Sequence, residues 1–187
     1  MNIIGITGTL GAGKGTIVDY LVKNKGFAHY SVRAYLIGEI ELRGMPVNRD
    51  SMVSVANELR AKYGSSYIIE ELYKIAQQHQ QNCVIESIRT PGEAESLSDK
   101  GNFCLIAVDA DPEIRYQRIS LRASETDHIS YETFLENEKR EFTSDDPNKQ
   151  NLKKCIEMAS YVVLNNAGLE DLYLQVEEIL KNIEKLT

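Results

Sequence analysis

The stretch GTLGAGKGT, residues 8–16, decides which fold this chain adopts. It follows the apolar run MNIIGIT, residues 1–7, and leads into a segment whose apolar residues have helical spacing. A strand, a glycine-rich turn and a helix form the context that a phosphate-binding loop requires. Because Gly8, Gly11 and Gly13 carry no Cβ, the backbone can point successive N–H groups into one concavity. The stretch therefore predicts a loop that binds a polyphosphate, and the alternative is a glycine-rich turn without a ligand.

The residues that close this loop carry its chemistry. Lys14 supplies a mobile charge that can reach the β- and γ-phosphates, and the helix after it presents its positive N-terminal end. The general pattern places Ser or Thr directly after the lysine to contact Mg²⁺, whereas here Gly15 intervenes and Thr16 follows. We assign Mg²⁺ to the Thr16 hydroxyl, and we include Ala12 and Gly15 among the residues that bind the nucleotide.

The ending GKGT, residues 13–16, resembles adenylate kinase and related nucleoside monophosphate kinases. The resemblance covers nearly the whole chain and implies a P-loop kinase that uses ATP and Mg²⁺ to phosphorylate a small nucleotide acceptor. It implies a three-layer α/β/α fold with a five-stranded parallel sheet of order 2-3-1-4-5. We interpret residues 1–187 as one P-loop kinase domain with a substrate-side helical insert at 32–80 and a short lid at 123–130.

Composition narrows the classes of function. The 187 residues include 42% hydrophobic residues, enough for one domain with a real core. The net charge of −7 and the lack of long Lys/Arg runs argue against nucleic acid as a partner. No apolar run reaches the ~18 residues of a membrane span, so we expect no membrane partner and a cytoplasmic monomer or homodimer. Cys83, Cys104 and Cys155 are widely spaced in apolar surroundings and are expected to be reduced core thiols.

Apolar runs alternate with amphipathic segments along the chain, which predicts a parallel sheet with helical crossovers. The first helix is expected to bury Ile17, Val18, Leu21 and Val22. Strands are predicted at residues 1–7, 27–30, 83–85, 103–108 and 161–164. The helices predicted at 33–42, 51–63 and 67–79 show no obvious core of their own. They form either a movable flap on the substrate side or ordinary crossover packing.

Two charged residues follow the third predicted strand, where ligands bind in open α/β sheets. Arg89 offers a planar fork that can hold a phosphate through two hydrogen bonds. Glu86 can hold a water molecule on Mg²⁺ in the manner of the second carboxylate of P-loop enzymes. The alternative is a solvated ion pair at the edge of a loop.

Three arginines share one side of the next helix, because Arg115, Arg118 and Arg122 lie at positions i, i+3 and i+7. By resemblance, Arg118 and Arg122 match the pair that nucleoside monophosphate kinases carry on the helix entering the lid. That match implies contact of Arg122 with the transferring phosphoryl group and of Arg118 with the nucleotide. The alternative is a solvated helix face, and for Arg115 both interpretations stay open.

The resemblance also implies roles in nucleotide binding for two further regions. Asn166 and Gly168 lie where related kinases cradle the adenine ring, although a turn rich in Asn and Gly needs no ligand. Lys139 and Arg140, behind the lid, match basic residues that reach back to the phosphates in such kinases.

The nature of the acceptor follows from the residues after the second predicted strand. A monophosphate is mostly a dianion at neutral pH and needs no general base, whereas a hydroxyl acceptor is helped by a carboxylate. Dephospho-CoA kinases place an aspartate at this point, but the chain has Ser31 and Arg33 nearby. We therefore predict an acceptor phosphate held by Arg33, Arg89 and the Ser31 hydroxyl. The Thr-Gly-Asp run of adenylate kinases is also absent, which argues against AMP.

The predicted function is Mg-ATP-dependent phosphorylation of a nucleoside or deoxynucleoside monophosphate, with Lys14, Arg118 and Arg122 as catalytic residues. One alternative is a dephospho-CoA kinase. Another is a nucleotide-binding switch or assembly factor that binds ATP, hydrolyses it slowly and acts through a protein partner. Acceptor-dependent phosphoryl transfer distinguishes the two kinases from the switch.

Overall fold

One parallel sheet organises the part of the chain that this computed structural model describes, residues 1–122 and 129–184. Its strands are β1 (Ile3–Gly8), β2 (Ala28–Ser31), β3 (Cys83–Glu86), β4 (Phe103–Asp109) and β5 (Tyr161–Leu164). The strand order is β2-β3-β1-β4-β5, and all neighbouring strands run parallel. This order confirms the predicted fold, a P-loop NTPase α/β architecture.

Strand β1 occupies the centre of the sheet. All six of its residues are buried, as expected for a strand covered on both faces. Its first residue, Ile3, is in register with Cys83 of β3 and with Phe103 of β4. The loop that follows β1 therefore starts at the middle of the sheet edge, where the carboxyl ends of all strands meet.

Helices connect the strands and cover both faces. They are α1 (Lys14–Lys25), α2 (Val32–Leu42), α3 (Arg49–Tyr63), α4 (Tyr67–His79), α5 (Pro91–Ser98), α6 (Pro112–Arg122), α7 (Tyr131–Phe142), α8 (Leu152–Glu157) and α9 (Leu169–Glu184). The sequence TPGE, residues 90–93, has the form of a capping box with proline at the first helical position, and helix α5 begins with this box. Serine is a favoured helix cap, which predicts a helix start at Ser130, and helix α7 begins there with the Ser130 side chain accepting a hydrogen bond from the Thr133 N–H.

The two faces of the sheet have separate cores. One core joins α1 and α9 to β1 and β4, with Ile6, Leu21 and Val176 among its fully buried residues. The other joins α2, α3, α4 and α5 to β1 and β3, through residues such as Ile40 and Ile69. The helices between β2 and β3 thus share a core with the sheet, which favours crossover packing over a separate flap.

Two details differ from the sequence predictions. Val22 is 36% exposed, because Ile17, Val18 and Leu21 already fill the face of α1 that meets the sheet. The spacing of Leu152, Cys155, Ile156 and Ala159 predicts a helix that reaches residue 159. Helix α8 instead ends at Glu157, since the Ser160 N–H donates to the Leu105 carbonyl at 2.8 Å and starts the approach to β5.

Two predictions concern the lid and membrane spans. The structure does not describe most of the lid, whereas its helices can be examined for membrane spans. Residues 123–128 of the lid lie outside the described residues, so the lid stays a prediction. Within residues 1–122 and 129–184, no helix is both long enough and apolar enough to cross a lipid bilayer.

The three cysteines are buried and unpaired, as predicted. Burial raises the pKa of the Cys83 thiol to about 11 and that of the Cys155 thiol to about 12, and burial also raises the pKa of Cys104. Because the thiolate is the reactive form, we expect none of the three to react with Ellman's reagent in the folded protein at neutral pH. All three should react in denaturant, as measured by absorbance, and a thiol that reacts rapidly in the folded protein would contradict this burial.

Candidate nucleotide-binding site

The loop after β1 has a backbone that requires glycine. Gly8, Gly11 and Gly13 have φ angles of +132°, +80° and +98°, a region that other residues rarely adopt. A Cβ at Gly8 would collide with the Val108 carbonyl oxygen, and one at Gly13 would collide with the Asn165 side chain. The three glycines therefore allow the backbone conformation of the loop, and at Gly8 and Gly13 they also allow close packing against neighbouring residues. The sequence pattern predicted that the backbone here requires residues without a Cβ.

Lys14 lies under this loop. Its Nζ donates hydrogen bonds to the carbonyl oxygens of Gly8 and Thr9, at 2.8 and 2.7 Å. Burial, together with the nearby Arg89 charge, lowers the pKa of Lys14 to about 7, although Glu86 opposes the shift. Both hydrogen-bond acceptors are neutral, so an anion placed over the loop would stabilise the charged form of Lys14.

A cleft of about 890 Å³ opens above the loop, a volume typical of ligand sites. It collects ten of the predicted site residues from four parts of the chain. They are Gly11, Gly13, Lys14, Gly15, Thr16, Arg33, Glu86, Arg89, Arg118 and Arg122. The sheet topology thus brings together residues that lie more than 100 positions apart.

Five other predicted site residues do not line this cleft. Gly8 and Ala12 are buried within the loop. Ser31 caps α2 by accepting the Ala34 N–H, and its hydroxyl donates to Glu86 Oε1 at 2.7 Å. Asn166 exchanges hydrogen bonds with Asp111, and the Gly168 carbonyl accepts the Leu172 N–H in the first turn of α9.

The three arginines of α6 have different surroundings. Arg115 is only 4% exposed and donates to Ala110, Leu10 and Glu138, so it holds the helix in place. Arg118 lines the cleft and donates through Nη2 to the Asn165 carbonyl at 2.8 Å. Its Nη1 is buried and has no hydrogen-bond partner within the described residues.

Asn165 was not predicted as a site residue, yet it fixes the loop. It is 7% exposed, and its Nδ2 donates to the Ala12 carbonyl at 2.8 Å. Its backbone N–H donates to the Asp109 carbonyl, which ties it to the end of β4. Only its place directly after β5 signalled a role, because the Ala12 contact lies 153 residues away in sequence.

We expect Asn165→Ala to weaken ATP binding about tenfold, because the loop loses a buried hydrogen bond and the Ala12 carbonyl loses its partner. Titration with a fluorescent ATP analogue measures the change. Gln175→Ala provides the control, since Gln175 makes its hydrogen bonds to Leu164 and Asp171 at the surface. Equal affinity of the two variants would show that Asn165 does not position the loop.

Glu86 stands at the end of β3 among hydrogen-bond donors. Burial acts to raise its pKa, but nearby His29 and the hydrogen bond from the Ser31 hydroxyl outweigh burial and lower it. The His29 ring nitrogen Nε2 lies 3.6 Å from Glu86 Oε1. Glu86 is therefore held as a carboxylate facing the same cleft as Thr16. Within the part of the chain that the structure describes, no three His, Cys, Asp or Glu side chains form a metal cluster.

Arg33 and Arg89, which are predicted to bind the acceptor phosphate, differ in how far other side chains already occupy them. Arg33 is exposed, and among the described residues its one hydrogen-bond contact is a long one, 3.6 Å from Nη1 to Met52 Sδ. Arg89 Nη1 donates to Glu141 Oε2 at 2.7 Å and to Gln150 Oε1 at 2.9 Å. Arg89 is thus oriented by other side chains before any ligand binds.

Glu141 is a second residue that the sequence did not reveal. It is 3% exposed and accepts hydrogen bonds from both Arg49 and Arg89, at 2.6 and 2.7 Å. The neighbouring basic residues, predicted to reach the phosphates, do not line the cleft: Lys139 is exposed, and Arg140 pairs with Asp50 at the surface. An acidic residue in a helix rich in charges gave no signal of burial.

Comparisons with known proteins agree with this architecture. Residues 4–144 match the model of the AAA domain family. A UPF0200 protein of Methanococcus maripaludis strain C7 is 30% identical over 190 residues, which cover 99% of each chain. Among solved structures, a gluconokinase from Sinorhizobium meliloti covers 99% of this chain and 93% of its own, with TM-score 0.59 and 14% identity. A shikimate kinase from Bacteroides thetaiotaomicron covers 98% of each chain, with TM-score 0.54 and 14% identity. These two structures share the fold.

Proposed function

Because the chain belongs to the AAA domain family and to the UPF0200 family and has the fold of P-loop kinases, we propose that it phosphorylates a nucleoside or deoxynucleoside monophosphate with Mg-ATP. The proposal includes the helical segment 32–80 as the acceptor side of the site. We also propose that the protein is located in the cytoplasm.

One observation carries the proposal, the convergence of Lys14, Arg118 and Arg122 on one cleft above the glycine loop. Two of these cations lack anionic partners in the described structure. Lys14 contacts neutral carbonyls, and Arg118 Nη1 is buried without a hydrogen-bond partner. A polyphosphate satisfies both groups, so the residues present fit ATP.

Each of these residues has a distinct role in phosphoryl transfer. Lys14 leaves the Gly8 and Thr9 carbonyls and binds the β- and γ-phosphates, while the N–H groups of the loop orient the chain of phosphates. Arg118 holds the nucleotide, and Arg122 neutralises charge that develops on the transferred group. Such donors stabilise the transition state because they are positioned before the reaction begins.

Thr16 and Glu86 are the residues that would hold Mg²⁺, the first by its hydroxyl and the second through a water molecule. A hydroxyl and one carboxylate suit an ion that takes most of its other ligands from phosphates and water. When bound, the ion neutralises phosphate charge during transfer. Arg33, Arg89 and Ser31 are proposed to bind the acceptor phosphate, and Asn166 and Gly168 the adenine of ATP.

A second candidate is a kinase with a hydroxyl acceptor, such as a dephospho-CoA kinase. One contact favours it, because the Ser31 hydroxyl donates to Glu86 Oε1 and so places a carboxylate beside the end of β2. The Glu86 carboxylate therefore lies near the position where dephospho-CoA kinases have the aspartate that this chain lacks after β2. A carboxylate at this point could accept the proton of a hydroxyl acceptor.

The test is ATP consumption with identification of products, using each common ribo- and deoxyribonucleoside monophosphate and dephospho-CoA as acceptor. The proposal expects a nucleoside diphosphate from at least one monophosphate. Phosphorylation of dephospho-CoA alone would favour the second candidate. If ATP binds but no acceptor is phosphorylated, both kinase assignments fail and the nucleotide-binding switch becomes the better explanation.

A further inference from the structure

A smaller cavity, of about 90 Å³, adjoins the cleft. The two spaces share five residues, Leu10, Arg33, Ser87, Arg89 and Arg122. Because a single water molecule needs about 10–15 Å³ of such volume, the smaller cavity can hold a group of the size of a phosphate. We call it the arginine cavity.

The wall of the arginine cavity carries more positive than negative charge. Among the described residues that line it, Glu141 is the one carboxylate, and the arginines are Arg33, Arg49, Arg60, Arg89 and Arg122. The Arg60 charge is balanced by Glu93, whose Oε1 lies 2.7 Å from Arg60 Nη2. The remaining arginines still outnumber the carboxylate. An excess of positive charge in a concave space attracts an anion.

Glu141 holds two of these arginines by one nitrogen each. It is 3% exposed, and its two oxygens accept hydrogen bonds from Arg49 Nη2 at 2.6 Å and from Arg89 Nη1 at 2.7 Å. Gln150, which is 7% exposed, accepts a second hydrogen bond from the same Arg89 nitrogen at 2.9 Å. Both guanidinium groups are therefore fixed in orientation by buried side chains.

Other nitrogens of the same two arginines remain available. Arg89 Nε and Nη2 make no hydrogen bond within residues 1–122 and 129–184, and neither is fully buried. Arg49 Nη1 likewise has no partner there and is not fully buried, whereas Arg49 Nε is. Because Arg49 and Arg89 both line the arginine cavity, a phosphate with several acceptor oxygens can bind donors from both.

Arg122 links this anion site to the phosphoryl transfer. It lines both spaces and is proposed to neutralise charge on the transferred group. A phosphate bound beside Arg122 in the arginine cavity would therefore be next to the transferred group, as an acceptor phosphate has to be. Of the residues already proposed to bind the acceptor phosphate, Arg33 and Arg89 line the arginine cavity and Ser31 does not.

We propose that the arginine cavity binds the acceptor phosphate, that Arg49 contacts it beside Arg33 and Arg89, and that Glu141 is the positioning residue for Arg49 and Arg89. This inference rests on the proposed function, since it adds residues to the same kinase site. It also restricts the acceptor to a compound that already carries a phosphate, because a neutral nucleoside leaves the charge of the cavity unbalanced. Neither Arg49 nor Glu141 was among the site residues predicted from the sequence.

The first test is calorimetric titration, with and without an unreactive ATP analogue, of each monophosphate of the acceptor assay and of its neutral nucleoside. We expect Arg49→Met to bind the monophosphate about tenfold or more weakly than the wild type, because charge-assisted hydrogen bonds are lost. Its affinity for the ATP analogue should not change. Arg43→Met is the matched control, since Arg43 pairs with Glu39 and Glu58 and lines neither space.

The outcomes separate this inference from the kinase assignment. Wild-type affinity of Arg49→Met for the monophosphate, or equally tight binding of the neutral nucleoside, overturns the inference and leaves the kinase assignment to the product assay. Failure of the wild-type protein to bind any monophosphate under either condition also overturns it. Weaker binding by Arg49→Met in a protein that phosphorylates no acceptor supports the anion site and removes the kinase assignment.

The second test shortens the positioning residue. Glu141→Asp keeps the charge, but a side chain shorter by one methylene group cannot maintain both contacts, at 2.6 and 2.7 Å. We expect the Kd of the monophosphate to rise about tenfold and the Kd of the ATP analogue to stay unchanged, a difference that a general loss of stability does not produce. Glu136→Asp is the control, because Glu136 is exposed on the same helix and lines neither space.

An unchanged Kd of the monophosphate in Glu141→Asp overturns the positioning role of Glu141. If thermal denaturation shows that Glu141→Asp is unfolded, Arg49→Met and the comparison of monophosphate with nucleoside decide.

Discussion

Lys14→Ala is expected to lower kcat for phosphoryl transfer about 10³-fold, because it removes a cation whose ammonium group lies directly under the glycine loop. The loss should appear with every acceptor, since Lys14 acts on the transferred group and not on the acceptor. Steady-state rates with saturating ATP measure it. Titration with an ATP analogue separates the loss in rate from any loss in binding.

The control for this variant is Lys74→Ala. Lys74 is exposed on α4, pairs only with its neighbour Glu71 in the described structure, and does not line the cleft. It should retain the wild-type rate and the wild-type melting temperature. Retention of more than a tenth of the wild-type rate by Lys14→Ala would remove Lys14 from the catalytic residues.

Glu93→Ala is expected to lower the free energy of unfolding by about 3–5 kcal/mol, since it leaves the Arg60 guanidinium buried without its counter-charge. The backbone N–H groups of Arg89 and Thr90 also lose the carboxylate oxygen that accepts them. The melting temperature should fall by about 6–20 °C for a chain of this length. Urea denaturation followed by circular dichroism measures the change.

Glu95→Ala is the matched control, because Glu95 is exposed two positions further along the same helix. Its effect should lie within about 0.5 kcal/mol of the wild type. Glu93→Gln should fall between the two, since an amide keeps the shape and one acceptor but loses the charge. A loss below about 1 kcal/mol in Glu93→Ala would mean that Arg60 finds another partner on relaxation.

The features that could be predicted from the sequence are those set by neighbouring residues. The glycine loop and the capping box at Thr90 and Glu93 each depend on fewer than ten consecutive residues. The alternation of apolar runs likewise predicted all five strands, with boundaries that shift by a few residues. The strand order was implied by family resemblance, because spacing along a chain does not determine which strands become neighbours.

The features that escaped prediction depend on contacts across the fold. Glu93 shows the difference within one side chain. Its bond to the Thr90 N–H lies within the capping box and was predicted, whereas its ion pair with Arg60 spans 33 positions. Asn165 and Glu141 escaped for the same reason, since each meets its partners only after the sheet and helices have assembled.

The central place of β1 constrains the order in which the protein can form during synthesis. The strand that carries the loop is made first, yet its two neighbours, β3 and β4, end at Glu86 and Asp109. At ribosomal rates, β3 is complete about 4–16 s after β1, and β4 about 5–20 s after it. Until β3 is made, the apolar segment Ile3–Gly8 has no neighbouring strand of this sheet, so its unpaired backbone is exposed to aggregation during synthesis.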